Sequence, residues 1–334
     1  MARQSGTAHG TSGRGKSGGG RVEWVDAAKG IGILLVIAGH VWWRPGAVRD
    51  AIYAFHMPLF FILSGYMVKP QPGWALLWRQ ARTLFVPFVA FSLILIAVDM
   101  GVEGARGVRP IFGSFGAGME AIVLRTESLR GPFTILWFVP CLFFARIAWN
   151  MVARAWPDPV DWRWAALVVL VLGIAHIVAA RTSASPLGVI AVPAAFACYW
   201  AGQLWKARPP GAAATLLILA PVAAATFLWL PPVNLKPGDY GMPFLSLAGA
   251  AAISILLCMA TAQLPGSLLG PLAWLGRASL VIMYVHVAFI HYGSPYMKDW
   301  TLFAFALAGS VLIHLAAAAT RPGRMILLGE FKGQ

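Results

Sequence analysis

The stretch KGIGILLVIAGH, Lys29 to His40, indicates the fold class, because Ile, Leu, Val, Ala and Gly fill it between two polar ends. Similar apolar runs recur along nearly the whole 334-residue chain, in which 59% of residues are hydrophobic and 11% are charged. Soluble domains carry roughly a quarter charged residues. The sequence therefore predicts an all-α integral membrane protein, a bundle of about ten transmembrane helices.

Ten apolar runs are long enough, or nearly so, to form membrane-spanning helices of about 20 residues. The ninth run is the shortest, and helix tilt or bilayer thinning would have to accommodate it. The predicted spans are residues 24–43, 52–68, 83–99, 133–150, 164–180, 187–204, 212–230, 243–262, 278–292 and 300–319.

The segments outside this bundle are short. Residues 1–20 are rich in Gly, Ser, Arg and Lys, which predicts a disordered basic tail rather than a signal peptide. Residues 21–320 make up the predicted transmembrane domain, and residues 321–334 a short cytoplasmic tail. The three cysteines stand singly in apolar runs, so we expect neither a disulfide framework nor a metal site.

The formal net charge of +14 has a topological interpretation. The Lys and Arg residues are scattered between apolar runs instead of gathering on one face, which argues against a nucleic-acid partner. Most of the 26 fall on segments that share the side of the N-terminus. By the positive-inside rule both termini are predicted to be cytoplasmic, in a multi-pass protein of the inner (cytoplasmic) membrane.

Lys29 and His40 are predicted to lie on one face of the first helix. Eleven residues at 100° each return to within about 20° of the start, and they span roughly 16 Å along the axis. Asp26, one turn before Lys29, is placed to pair with it. Ionisable groups inside a membrane more often serve function than packing, so this stripe is a candidate site.

The second helix carries a further imidazole, His56, at a depth similar to that of His40. A tight hairpin between the two helices would bring these rings together, and histidine is the usual general base near neutral pH. Each residue alone also has a structural interpretation. A membrane histidine often makes only a helix–helix hydrogen bond, and Lys29 could extend its ammonium group to the headgroups.

The basic residue and histidine with ten residues between them, followed by FHMPLFFILSGY (55–66), resemble acyltransferase family 3 of multi-pass membrane proteins. The branch that the chain resembles most is that of the fucose 4-O-acetylase-like acetyltransferases. The resemblance covers roughly residues 21–320. Further motifs that carry it are WRQARTLFVPF (78–88), LWFVPCLF (136–143), CYWAGQLWK (198–206), DYGMPFLSLAGAAAI (239–253) and LGRASLVIMYVHVAF (275–289).

This resemblance implies an O-acetyltransferase that uses a cytoplasmic acyl-CoA, commonly acetyl-CoA, and a carbohydrate or glycolipid acceptor. His40 would be the essential histidine and general base, with His56 as a second acid/base or orienting group and Lys29 as the basic partner. The CoA phosphates would meet Arg79 and Arg82, with Lys29 and Arg277 as further contacts. Direct transfer and an acyl-histidine intermediate both remain open.

Other polar residues are weaker candidates for lining the site. They are Asp26, Ser64, Tyr66, Trp137, Tyr284 and His286. Ser64 could instead bond a backbone carbonyl, Trp137 could belong to the aromatic belt at the membrane surface, and Tyr284 could simply pack. Two rival functions also stay open: a transporter or flippase that relays protons or binds an anion through Lys29 and His40, and a structural partner in envelope assembly.

Overall fold

The computed structural model describes residues 22–331, and this part of the chain is helical, with one isolated antiparallel bridge between Asn234 and Asp239. The predicted tail of residues 1–20 lies outside the described residues. The α-helices, numbered in chain order, are α1 (Glu23–Val41), α2 (Ala47–Tyr53), α3 (His56–Met67), α4 (Gly73–Gln80), α5 (Val86–Ala105), α6 (Phe115–Leu124), α7 (Phe138–Ala155), α8 (Trp162–Ala179), α9 (Val192–Ala207), α10 (Ala212–Ala214), α11 (Ala220–Trp229), α12 (Leu245–Thr261), α13 (Gly266–Gly293), α14 (Asp299–Ala319) and α15 (Arg321–Ile326).

Short turns of other helical types link several of these helices into longer continuous segments. Two are π-helical, Ala81–Phe85 and Thr215–Leu219, and three are 3-10 helical, Thr126–Ser128, Gly131–Phe133 and Pro186–Ala191. The π turn before α5 joins it to α4, so that residues Gly73–Ala105 form one 33-residue helical segment.

The described residues contain nine helical segments that are long and apolar enough to cross a membrane. They confirm the prediction of a multi-pass helical membrane protein. The segments are Glu23–Val41, Ala47–Met67, Gly73–Ala105, Gly131–Ala155, Trp162–Ala179, Pro186–Ala207, Ala212–Trp229, Gly266–Gly293 and Asp299–Ala319. The predicted eighth span corresponds to α12, an apolar helix of 17 residues.

The prediction that the ninth span is the shortest is wrong. The corresponding helix, α13, has 28 residues and begins directly after Pro265, twelve residues before the predicted span. Glycines, Pro271 and Arg277 lower the hydropathy of its first three turns. These turns are helical nevertheless, because part of them packs against another helix instead of facing lipid.

That neighbour is α1, along which α13 packs so closely that two glycines are required. A Cβ at Gly30 would overlap the carbonyl oxygen of Leu272 on α13, and a Cβ at Gly276 would overlap the carbonyl oxygen of Asp26 on α1. Small residues of this kind allow two membrane helices to bring their backbones together. The contact aligns α13 with α1 over its length and carries His286 to the level of His40.

Candidate active site

A cavity of about 250 Å³ lies where the C-terminal end of α1 meets the start of α3. We call it the histidine cavity. The polar and aromatic residues that line it include His40, Arg49, Tyr53, His56, Trp137 and Lys236. His40 and His56 therefore face the same space, as the hairpin prediction requires. Trp137, which could have belonged to the surface aromatic belt, is only 4% exposed and lines this cavity instead.

A third imidazole lies beside the first. The ring centroids of His40 and His286 are 5.2 Å apart, and His286 is completely buried. The Nε2 atom of His286 has no hydrogen-bond partner among the residues that the structure describes. On the far side, the Tyr53 ring packs against His56 with the centroids 4.8 Å apart. Three imidazoles from α1, α3 and α13 thus form one cluster at this end of the bundle.

Backbone hydrogen bonds fix the tautomers of two of these rings. The Nδ1 atom of His56 lies 2.9 Å from the carbonyl oxygen of Ile52, and that of His286 lies 2.8 Å from the carbonyl oxygen of Ile282. A carbonyl only accepts, so Nδ1 must donate in each ring, and Nε2 is left as the proton acceptor. The half-buried ring of His40 makes no hydrogen bond to residues 22–331 and can therefore exchange a proton with a substrate.

Lys236 is a functional candidate that the sequence did not single out. It lies in the loop between α11 and α12, and its ammonium group donates to the backbone carbonyl of Leu129 and lies 3.5 Å from Thr134 Oγ1. Burial lowers the pKa of Lys236 to about 8, against the opposing influence of the Glu127 carboxylate. No helical period governs this loop, so no pattern predicts that a lysine in it reaches the histidines.

The other end of α1 borders a cavity of different chemistry. This basic cavity, of about 430 Å³, is lined by cationic and hydroxyl-bearing residues, and no carboxylate of the described chain lines it. Those residues are Lys29, Ser64, Lys69, Arg79, Arg146 and Tyr199. Lys29 Nζ lies 3.2 Å from Asp26 Oδ1, which is the ion pair that the sequence predicts.

An adjoining cavity of about 590 Å³ shares Lys29 and Ser64 with the basic cavity. It extends toward α13 and α14, where Arg277, His314 and Glu330 line it. Lys29 consequently stands at the junction of the two spaces. The predicted phosphate contacts Arg79 and Arg277 lie on different sides of that junction.

An aromatic partition separates the adjoining cavity from the histidine cavity. Phe60 and Phe138 line the adjoining cavity, and their ring centroids are 6.0 Å apart. Met57 and Trp137, which line the histidine cavity, precede them by three residues and one residue. Three residues of helix correspond to about 4.5 Å along the axis, so on α3 the linings of the two cavities are about one helical turn apart.

The family model described as an acyltransferase domain, that of acyltransferase family 3, matches residues 22–320. The chain belongs to this family. No curated protein and no solved structure matches the chain.

Within this acyltransferase, three of the predicted site residues lie away from the cavities just described. Arg82 is exposed and places its guanidinium 5.1 Å from the centre of the Trp78 ring and 5.9 Å from that of Phe331. Tyr66 packs against two tryptophans, Trp24 and Trp205, and Tyr284 stacks on Phe91 with the centroids 4.6 Å apart. Their predicted roles stay predictions, and packing is what the geometry provides for the two tyrosines.

Ser64 combines both of its predicted interpretations. Its hydroxyl donates to the carbonyl oxygen of Phe60 at 2.7 Å, which satisfies the donor within α3. The residue nevertheless lines both the basic cavity and the adjoining cavity. Its oxygen can still accept one hydrogen bond from a ligand.

Proposed function

We propose that this acyltransferase moves an acetyl group from acetyl-CoA to a hydroxyl of an extracytoplasmic or lipid-linked carbohydrate. The observation that carries the proposal is the pair of opposed cavities along α1. One is basic and suits an anionic donor, and the other is lined by histidines. The adjoining cavity extends the basic cavity to Phe60 and Phe138, the aromatic side chains that border the histidine cavity. A thioester at the partition would lie within reach of both.

The donor side rests on charge. Coenzyme A carries several phosphate charges, and the basic cavity offers Lys29 and Arg79 with no lining carboxylate among the described residues. Arg277 reaches the adjoining cavity, and Arg82 stands outside both. We place the nucleotide in the basic cavity and the pantetheine arm along the adjoining cavity, pointing toward Phe60.

The acceptor side rests on the histidines. His40 removes the hydroxyl proton of the sugar as its oxygen attacks the thioester carbonyl, and a tetrahedral oxyanion forms. The carbon–sulfur bond then breaks, the carbonyl re-forms and the thiolate of CoA takes up a proton. His56 and His286 each present Nε2 as an acceptor, and the ammonium group of Lys236 supplies positive charge near the developing oxyanion.

A large groove supports approach of the acceptor from the lipid side. It has a volume of about 1210 Å³, adjoins the end of α1 and shares Arg49 with the histidine cavity. Trp42 and Trp300 line it, with ring centroids 4.7 Å apart, and so does Arg44. Aromatic faces bind sugar rings, and arginines bind the phosphate of a lipid carrier. With both termini cytoplasmic, this groove would open to the outer leaflet of the inner membrane.

The two opposed cavities are also compatible with a transporter, because a passage that binds a transported substrate needs access from both ends. Transfer of label from acetyl-CoA to a glycan separates the two functions, because transport requires no covalent change. We therefore expect membranes that contain the protein to transfer radiolabelled acetyl groups to glycolipid, and a transporter would leave the label on CoA.

The first test is the base-labile acetate on surface glycans and glycolipids from cells that make the wild-type protein or His40→Ala at matched levels. We expect acetate with the wild type and at least a hundredfold less with His40→Ala, since general-base catalysis contributes about 10²–10⁴-fold. His176→Ala is the matched control, because this intramembrane histidine packs on Tyr240 away from both cavities and should keep full activity. Equal acetate with His40→Ala would remove His40 from the chemistry.

A further inference from the structure

Arg146 is a buried cation that has no role in the proposed reaction. It lies on α7 and is only 3% exposed. Its Nη2 atom donates to the carbonyl oxygen of Lys69 at 2.9 Å, and its guanidinium lies 5.1 Å from the centre of the Trp149 ring. Its Nη1 atom is buried and has no hydrogen-bond partner among residues 22–331.

The surroundings of Arg146 add to its positive charge instead of balancing it. Arg146 lines the basic cavity together with Arg79 and Lys29, and no carboxylate of the described chain does so. The acid closest in sequence to Lys29, Asp26, already pairs with it. Buried charges in proteins are normally paired, because an unpaired ion loses its hydration without compensation. Lys29 has its counter-ion, but Arg79 and Arg146 have no carboxylate partner among the described residues, so this part of the cavity suits an anionic ligand.

We propose that Arg146 binds a phosphate group at the buried end of the basic cavity, through the Nη1 atom that the protein leaves without a partner. A phosphate oxygen accepts from Nη1, and Arg79 contacts the same group from α4. In the reaction proposed above, on which this assignment of the ligand rests, the group is a phosphate of the CoA donor. No motif of the sequence points to Arg146.

A purely structural role for Arg146 has to be distinguished from this one. Asn150, one turn further along α7, exchanges two hydrogen bonds with the backbone of Gln71, at 2.9 and 3.1 Å. Arg146 and Asn150 thus hold the linker between α3 and α4 from the same helix face. Holding a carbonyl needs a donor and no charge, so this role would affect stability and all ligands alike. Phosphate binding would affect only ligands that carry phosphate.

The test measures binding of three probes to the purified full-length protein in lipid nanodiscs. The probes are CoA, adenosine 3′,5′-bisphosphate, which has phosphates without the pantetheine arm, and pantetheine, which has no phosphate. We expect Arg146→Gln to weaken the binding of CoA and of adenosine 3′,5′-bisphosphate at least tenfold. The affinity for pantetheine should stay within twofold of wild type. The control Arg154→Gln removes an exposed cation from the same helix and should bind all three probes as wild type does.

Thermal unfolding of each variant without ligand shows whether the fold survives. If Arg146→Gln does not fold, Arg146→Lys keeps the charge and a single donor group, and we expect the same selective loss at about threefold to tenfold. Unchanged CoA affinity in a folded variant, or an equal loss for all three probes, would overturn the role of Arg146 and leave the acyltransferase proposal intact.

The proposed function can fail separately. The protein could bind adenosine 3′,5′-bisphosphate through Arg146 and yet never transfer an acetyl group from acetyl-CoA. This result would support the phosphate site and contradict the assignment of acetyl-CoA as the donor. A wild-type protein that binds none of the three probes would overturn both.

Discussion

The three clustered imidazoles, of which His40 and His56 line the histidine cavity, are not equivalent, and the difference arises from single hydrogen bonds. His56 and His286 each use Nδ1 to donate to a carbonyl one turn earlier, so their rings are held in place. His40 has no such anchor within the described chain and lies 5.2 Å from His286. Because His56 and His286 are held by these hydrogen bonds and His40 is not, we favour His40 as the residue that transfers the proton.

The spacing of Lys29 and His40 could be predicted because a regular helix converts sequence distance into position. Lys236 and Arg146 could not be predicted, since both reach their cavities through tertiary packing. Lys236 comes from the loop between α11 and α12, and Arg146 appears in the sequence only as one of many scattered arginines. Each of these two residues thus adds a positive charge that the sequence pattern did not assign to its cavity.

The lowered pKa of Lys236 predicts how stability depends on pH. Its pKa falls from the ordinary lysine value of 10.5 to about 8 on folding, so the unfolded chain holds a proton that the folded chain releases between these values. Below pH 8 the folded protein bears the full cost of a buried ammonium group, and this cost disappears as the pH rises toward 10.5. The gain is at most about 3 kcal/mol.

Melting temperatures of wild type and Lys236→Met at pH 7.5 and pH 10 check this prediction. Met has a similar length and does not titrate, so the wild type should gain stability relative to the variant as the pH rises. Lys298→Met, which removes an exposed lysine, is the control and should show no such relative change. A difference between wild type and Lys236→Met that is constant with pH would contradict the lowered pKa.

Among the helices, the close contact between α1 and α13 sets the position of His286 relative to His40. Gly276→Ala would place a methyl group against the Asp26 carbonyl oxygen and force the two helices apart. Overpacking of this kind costs about 1–3 kcal/mol, so we expect a lower melting temperature in detergent. The same separation would move His286 away from His40 and should reduce acetyl transfer.

Gly270→Ala supplies the matched control for this contact. It lies on the same helix, and a Cβ there would meet no atom within 4 Å. Alanine favours a helix over glycine by about 1 kcal/mol, so this variant should be as stable as the wild type or slightly more stable. If Gly276→Ala lowers stability and Gly270→Ala does not, then packing, and not helix propensity, requires glycine at position 276.

Each of the first seven predicted spans overlaps a helical segment of the structure, because long apolar runs dominate the choice of helix in a membrane. The start of α13 was mispredicted for the same reason: hydropathy measures contact with lipid, and Gly276 contacts α1. Sequence patterns likewise did not predict α6, which forms within the connection of residues 100–132. Hydropathy therefore predicts which segments span and misses helices that protein contacts stabilise.

For the whole molecule, the predicted orientation assigns each cavity to a side of the membrane. Lys298 lies at the groove beside the histidine cavity, and Arg208 follows the end of α9, where Lys206 lies close to Tyr66. Cysteines introduced as Lys298→Cys and Arg208→Cys should differ in reactivity toward a membrane-impermeant maleimide. We expect the first to react in intact spheroplasts and the second only after lysis. The three native cysteines are buried and should give little background.

The aromatic partition between the cavities has an energetic consequence for the living cell. The acceptor hydroxyl would lose its proton on the outer side, and the thiolate of CoA would gain one on the inner side. With only one helical turn of hydrocarbon between them, the voltage across the membrane would drop mainly over Phe60 and Phe138. If no proton crosses the partition from the outer to the inner side, each turnover releases one proton outside and takes up one inside. This charge separation works against the membrane potential and costs about 2.3 kcal/mol per 100 mV. Acetylation would then slow as the membrane becomes energised, and an uncoupler would accelerate it.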